Sequence, residues 1–141
     1  MSKRDPFAKF DVTKKTQLTT TSNQLYDDTK FLYKEGQRYA AALYLGGFVI
    51  ECLLKAALWK RRQEKPIRRL LFTHDLHKLL EMNTSLAKAL RADRQGLYQQ
   101  FVRLSTWNVR FRYNPKNIPK SDADDFMRRL KEVRQWLIQK V

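Results

Sequence analysis

The sequence predicts an all-α protein, built as an antiparallel bundle of about five helices. The chain has 141 residues, of which 43% are hydrophobic, with only four glycines and four prolines; this suits one helical domain with a real core. Residues 38–62 form an apolar run that is rich in alanine and leucine and too long for one strand. No stretch alternates convincingly with the period of two that is typical of a strand. A long, buried second helix is therefore expected.

Residues 1–18 are expected to form a flexible basic arm ahead of a helical domain that covers residues 19–141. The first residues, MSKRDPFAKFDV, lack the apolar core of a secretory signal, so a cytoplasmic location is expected. The threonines and serine at positions 19–22 are N-cap candidates, and a first helix is predicted from about Ser22 to Glu35, ended by Gly36. The short link to the next helix predicts an antiparallel helical hairpin.

The second helix is apolar on almost every side, which is typical of a helix that the rest of a fold surrounds. A membrane span is the alternative, but Glu51 and Lys55 interrupt the run of about 20 apolar residues that a span needs. The two charges lie four residues apart in the favourable order, so they are predicted to form an ion pair at the edge of the core. The alternative interpretation is that Glu51, in addition to pairing with Lys55, binds an arginine from another helix. Cys52, the single cysteine, is expected to be a buried and unreactive thiol.

Three further helices follow along the chain. Thr73 is the candidate N-cap of a short third helix. The residues that share one face of this helix are Leu76, Leu79, Leu80 and Asn83. A fourth helix is predicted from about Ser85 to Tyr113, bent or broken near residues 93–96. The last helix begins at a capping-box-like Ser121 with Asp124. Its apolar residues recur at helical spacing: Ala123, Phe126, Leu130, Val133 and Leu137. Its basic residues are expected to face outward: Arg128, Arg129, Lys131 and Arg134.

The formal net charge is +15, from 29 basic and 14 acidic residues, which is more than solubility requires. Such an excess indicates a polyanionic partner, which would be RNA, DNA, an acidic protein or an anionic membrane surface. The densest positive segment is KRRQEKPIRR at residues 60–69. Arg61, Arg62 and Arg68 are therefore predicted to contact phosphate, although a helix end that is merely solvated and rich in cations is the alternative.

Several common kinds of site are not indicated. The chain has no glycine-rich phosphate loop and no zinc-spaced set of cysteines and histidines, and neither a metal nor a cofactor is predicted. His74 and His77 are interpreted first as structural residues, one at a helix start and one at the surface or core edge. The alternative pairs His74 with Arg69 as a metal-independent catalytic site for RNA cleavage. The histidine would move a proton to or from the 2′-hydroxyl or leaving oxygen, and the arginine would stabilise the charged phosphorane.

Four segments in order, YLGGFVIECLLKAAL, THDLHKLL, WNVRFRYNP and SDADDFMRRLKEVRQWL, resemble the HEPN domain over about residues 20–141. The resemblance implies a small bundle of roughly five helices, usually a homodimer. Many HEPN proteins are metal-independent endoribonucleases of toxin–antitoxin, antiphage or CRISPR systems, and others are non-catalytic partners of a nucleotidyltransferase.

The nuclease branch carries an arginine followed, four to six residues later, by a histidine, usually near the C-terminal helices. The corresponding region here offers Arg110 and Arg112 with no histidine after them, and it resembles the branch that carries Arg112–Tyr113 instead. The resemblance implies that Glu51 meets Arg112 or Arg110 and that Tyr113 lies at a groove with the other arginine.

The function expected is a basic module that binds RNA or a nucleotide-containing partner in a toxin–antitoxin or antiphage system. One alternative is an active endoribonuclease that uses an Arg/His pair. The other is a non-catalytic interaction subunit of a nucleotidyltransferase or effector enzyme.

Overall fold

The structure is a computed structural model that describes residues 15–61, 72–113 and 118–141, with the backbone alone at positions 60, 61, 108, 109 and 111–113. Within these ranges every regular element is a helix. In chain order they are α1 Lys15–Lys34, α2 Tyr39–Arg61, α3 Leu76–Glu81, α4 Thr84–Ala92, α5 Leu97–Tyr113 and α6 Lys120–Ile138. The predicted all-α bundle with a long, buried second helix is confirmed.

Helix α2 lies at the centre of the bundle and packs against α1, α3, α5 and α6. Its length and apolar composition would allow the segment Tyr39–Trp59 to cross a membrane, but 72% of its most apolar window is buried inside the protein. The flanking helices supply the apolar surroundings that a lipid bilayer would otherwise provide. The helix therefore has the burial expected of the core helix of a soluble domain.

Helices α1 and α2 form the predicted antiparallel hairpin. Ser22 of α1 donates a hydrogen bond from Oγ to the backbone oxygen of Val49 at 2.9 Å, and the rings of Tyr33 and Tyr39 pack at 5.9 Å near the turn. In the turn, the backbone N–H of Arg38 donates to the oxygen of Leu32 at 2.9 Å. The left-handed residue is Gln37, with φ of 49°, rather than the glycine beside it.

The start of α1 differs from the prediction. The helix begins at Lys15, not near Ser22, so the threonine and serine residues predicted as N-caps lie inside it. Leu18 and Ser22 are buried, and this packing outweighs the weak helix propensity of the Thr/Ser run. Residues 15–18, assigned from the sequence to the flexible arm, therefore belong to α1. The rest of the predicted arm, residues 1–14, lies outside the described residues.

Two short helices, α3 and α4, lead into the longer α5 in the middle of the chain. The N-cap of α3 is Asp75, whose Oδ1 accepts from the Lys78 N–H at 3.0 Å; the prediction of Thr73 was wrong by two residues. Asn83 is buried and caps α4, where its Oδ1 accepts from the N–H of Leu86 at 3.2 Å. The predicted break near residues 93–96 is confirmed, and it separates α4 from α5 at Gly96, which has φ of 69°.

Helix α6 buries all five residues that its periodicity predicts, each with no exposed surface: Ala123, Phe126, Leu130, Val133 and Leu137. Its N-terminus differs from the prediction, because the N-cap is Pro119 and Ser121 lies within the helix. Asp124 has a tertiary role instead. Its carboxylate accepts hydrogen bonds from the Tyr33 hydroxyl and from Lys120 Nζ, and so joins α1 to the start of α6.

This link between α1 and α6 should give the protein a pH-dependent stability. The hydrogen bonds from Tyr33 and Lys120 lower the pKa of Asp124. The ionised carboxylate therefore stabilises the fold fully above the ordinary carboxyl pKa, and this stabilisation is lost as the pH falls through the lowered pKa. Asp124→Asn is therefore expected to lower the melting temperature at pH 7 and to differ progressively less from wild type below about pH 4. Asp28→Asn, at an exposed position of α1, is the charge-matched control. A gap between the Asp124 variant and this control that persisted unchanged at pH 2 would contradict the link.

Candidate functional site

The most unusual feature of the core is a carboxylate on α2 that lies between a lysine and a histidine. Lys55 Nζ donates to Glu51 Oε2 at 2.9 Å. His74 Nδ1 lies 3.1 Å from both Glu51 oxygens. We call these three residues the Glu51 cluster. The sequence predicted the contact between Glu51 and Lys55, but it did not predict that His74 would complete the cluster.

The three side chains differ sharply in their exposure to solvent. The side chains of Glu51 and Lys55 are 8% and 7% exposed, whereas that of His74 is 53% exposed. Burial of the carboxylate is tolerable because both of its oxygens have hydrogen-bonding partners and its charge lies beside an ammonium group. The imidazole therefore bridges the buried ion pair and the surface of the protein.

The position of His74 is determined by the residues on either side of it. Thr73 Oγ1 accepts from the N–H of Asp75 at 3.3 Å, and Asp75 caps α3, so the backbone through His74 is held at the entrance of that helix. The ring also packs edge-on against Phe48 of α2, with centroids 6.0 Å apart. These contacts fix the imidazole on the surface of α2.

The geometry of the cluster selects one tautomer of the histidine. A carboxylate is an acceptor only, so Nδ1 carries the proton that points to Glu51. In the neutral ring Nε2 is then the basic nitrogen. A half-exposed imidazole oriented by a buried carboxylate can take a proton from a bound hydroxyl, and in its protonated form it can donate a hydrogen bond to a phosphate oxygen.

The remaining site residues predicted from the sequence are placed only in part. Arg110 lies on α5 with an exposed side chain. Arg62, Arg68 and Arg69 fall outside the described residues, as do the side chains of Arg61, Arg112 and Tyr113. The predicted pairs of Arg69 with His74 and of Arg112 with Glu51 are therefore untested and stay predictions. His77 is half-buried with its ring edge-on to Phe101 at 5.3 Å, as expected of a core-edge residue.

Cys52 lies beside Glu51 on α2 and is buried. Burial, followed by the neighbouring Glu51 charge, raises the pKa of its thiol to about 11. At neutral pH the thiolate form is accordingly scarce, which makes Cys52 an unsuitable nucleophile or metal ligand. Across residues 15–61, 72–113 and 118–141, no three His, Cys, Asp or Glu side chains are grouped to hold a metal ion.

An open cavity of about 540 Å³ lies elsewhere, between the α4–α5 turn and the C-terminal half of α6. Its wall combines charges of both signs, from Asp93, Arg94 and Glu132, with the partly buried ring of Trp136. None of the site residues predicted from the sequence lines it. The Glu51 cluster therefore remains the candidate site with the better defined chemistry.

Comparison with known proteins supports the resemblance noted from the four sequence segments. The model of the HEPN domain family matches residues 17–141, which is nearly the whole chain and includes every residue of the Glu51 cluster. No match was found among curated proteins or among solved structures. The extent of the family match, together with the all-helical fold, shows that this chain belongs to the HEPN domain family.

Proposed function

We propose that this chain is a basic HEPN module that binds RNA in the cytoplasm, within a toxin–antitoxin or antiphage system. Membership of the HEPN family supports an RNA-related or nucleotide-binding function in general. The observation that carries RNA binding is the excess of positive charge, +15 over the chain. A polyanion such as RNA would neutralise that charge.

Contacts within the fold do not remove this excess. Acidic groups are the minority, 14 against 29 basic residues, and several of them already pair with cations inside the protein. Asp27 pairs with Lys30, Glu81 with Arg91 and Asp124 with Lys120. Each such pair uses one basic group for one acidic group, so the excess of 15 positive charges is unchanged. The attraction of these charges for phosphate is screened by salt.

The proposal is tested by measuring the affinity of the purified protein for labelled tRNA and total RNA in EDTA over a series of salt concentrations. We expect the logarithm of the association constant to fall linearly with the logarithm of the salt concentration. If the protein contacts four to six phosphates or more, its affinity for RNA should fall by about 100-fold or more between 50 and 200 mM salt. Absence of binding at 50 mM salt would refute the RNA-binding function. It would favour a non-catalytic subunit that binds a protein partner.

A second candidate, metal-independent RNA cleavage, is favoured by one specific observation, the contact between His74 and Glu51. With Nδ1 held by the carboxylate, Nε2 could take the proton of a 2′-hydroxyl as the 2′-oxygen bonds to phosphorus and the bond from phosphorus to the 5′-oxygen breaks. A cyclic 2′,3′-phosphate results, and the leaving 5′-oxygen takes a proton from water or from the imidazolium. Arg69, five residues earlier in the chain, is the residue proposed to stabilise the charge on phosphorus.

The same assay distinguishes binding from cleavage. If His74 transfers a proton, His74→Asn should reduce cleavage in EDTA by about 100-fold or more while leaving RNA affinity nearly unchanged. His77→Asn is the matched control, because it alters the other histidine, whose ring packs on Phe101 and which is not a member of the Glu51 cluster. RNA that remains intact with the wild-type protein would refute cleavage but leave the binding function standing.

A further inference from the structure

Two arginines, Arg103 of α5 and Arg129 of α6, lie against Trp107 where these helices pack together. The guanidinium carbon of Arg103 lies 5.2 Å from the ring centroid of Trp107, and that of Arg129 lies 5.8 Å from it. Trp107 itself packs on Phe126 of α6, with ring centroids 6.2 Å apart. Arg128 is grouped with these two arginines because it shares the Asp125 carboxylate with Arg129. We call Arg103, Arg128 and Arg129 the Trp107 arginines.

Two of these arginines are held in place by neighbouring polar groups. Arg129 Nη1 donates to Gln100 Oε1 at 2.8 Å, and its Nε donates to Asp125 Oδ2 at 3.2 Å. Arg128 donates to the other oxygen of Asp125. Although burial raises the pKa of Asp125, the hydrogen bonds from the two arginines hold it below its usual range. Asp125 is therefore ionised at neutral pH, but one carboxylate offsets only one of the three positive charges.

Arg103 differs from the other two because nothing in the described part of the chain accepts a hydrogen bond from it. Its side chain is exposed, and its contact there is the face of Trp107, four residues further along the same helix. This contact does not join two helices, so the packing of α5 on α6 does not require Arg103. The stacked guanidinium keeps its planar set of N–H donors for an acceptor from outside the protein.

We propose that Arg103, Arg128 and Arg129 contact the sugar–phosphate backbone of RNA and do not read its bases. This inference rests on the RNA-binding function proposed above and locates one of its contact surfaces. Guanidinium groups in a fixed arrangement match phosphate oxygens in charge and geometry. Trp107 is only 7% exposed, so little of its ring remains for a base to stack on. Arg110, seven residues after Arg103, continues the same face of α5.

The experiment compares two double variants that have the same net charge. Arg103→Gln/Arg128→Gln removes two of the three charges of the Trp107 arginines. Lys34→Gln/Lys88→Gln removes two charges from exposed positions of α1 and α4. Affinities for labelled oligo(U), oligo(A) and oligo(C) are measured between 50 and 200 mM salt. Circular dichroism and melting curves check that each variant is folded.

We expect the arginine variant to lose about tenfold or more in affinity for all three oligonucleotides at 100 mM salt, with a log–log salt slope shallower by about 1 to 2. The lysine variant should lose less than about threefold. Equal losses in both variants would show that only net charge matters and would overturn the inference while the RNA-binding function stands. A loss confined to one oligonucleotide would also overturn it, since that result indicates base readout. A wild-type protein that binds no RNA would remove the proposed function and the inference together.

Discussion

Replacing Glu51 by alanine is expected to destabilise the protein by about 3–5 kcal/mol, because it leaves the ammonium group of Lys55 buried without its partner. The two side chains are only 8% and 7% exposed, so water cannot replace the lost contact without a rearrangement of α2. The same substitution releases His74, which lies 3.1 Å from the carboxylate. Urea unfolding monitored by circular dichroism gives the change in the free energy of unfolding.

A double variant separates the cost of an unpaired charge from the value of the pair. Glu51→Leu/Lys55→Met fills similar volume without any charge, and its stability should lie within about 1 kcal/mol of wild type or above it. The exposed pair of Glu81 with Arg91 provides the control, and Glu81→Ala should change the stability little. If Glu51→Ala were as mild as the control, Lys55 would have to reach solvent easily, and the cluster would not be a buried ion pair.

Replacing Gly46 by valine is expected to overpack the contact between α2 and α6 and to destabilise the protein. A Cβ at this position would lie 2.6 Å from Cε1 of Phe126 and 3.1 Å from Cδ2 of Leu130. Both of those side chains are fully buried, so neither can move without disturbing the core. Overpacking of this kind costs about 1–3 kcal/mol or more, and the two additional methyl groups of valine place it at or above the upper end of that range.

Gly46→Ala is the more discriminating variant, because alanine favours a helix over glycine by about 1 kcal/mol and the steric contact opposes this gain. We expect a net loss of stability in thermal unfolding, partly recovered by adding Phe126→Leu, which shortens the side chain that the new Cβ meets. Ala41→Val, at an exposed position of the same helix, should have little effect. A higher melting temperature for Gly46→Ala alone would mean that the space between α2 and α6 accommodates a methyl group, and it would contradict the expected steric clash.

The sequence predicted best those features that depend on one helix alone. The 3.6-residue periodicity of α6 identified every residue that it buries, since periodicity directly describes which face of a helix is apolar. The near-complete apolar character of α2 likewise predicted its burial. The break between α4 and α5 was visible because local backbone preferences at Gly96 and its neighbours disfavour a continuous helix.

Predictions that concerned helix ends were less accurate. Thr73 and Ser121 have the right chemistry for N-caps, yet Asp75 and Pro119 occupy those positions. Helix α1 extends back to Lys15 because Leu18 and Ser22 are buried in the bundle. Cap candidates one or two residues apart have similar intrinsic preferences, and the packing of the neighbouring helix decides between them.

The candidate site required the tertiary structure. Sequence spacing alone indicated the pair of Glu51 and Lys55, four residues apart on one helix. The contact of Glu51 with His74 joins residues that are 23 positions apart, and Arg129 reaches Trp107 from a different helix. Local periodicity shows which face of a helix is apolar and will be buried. It does not show which charged group from elsewhere in the chain will contact a polar residue of that helix. The sequence by itself thus determined the helices and their buried faces. Only the tertiary structure decided which polar side chains meet, because those contacts depend on how the helices pack together.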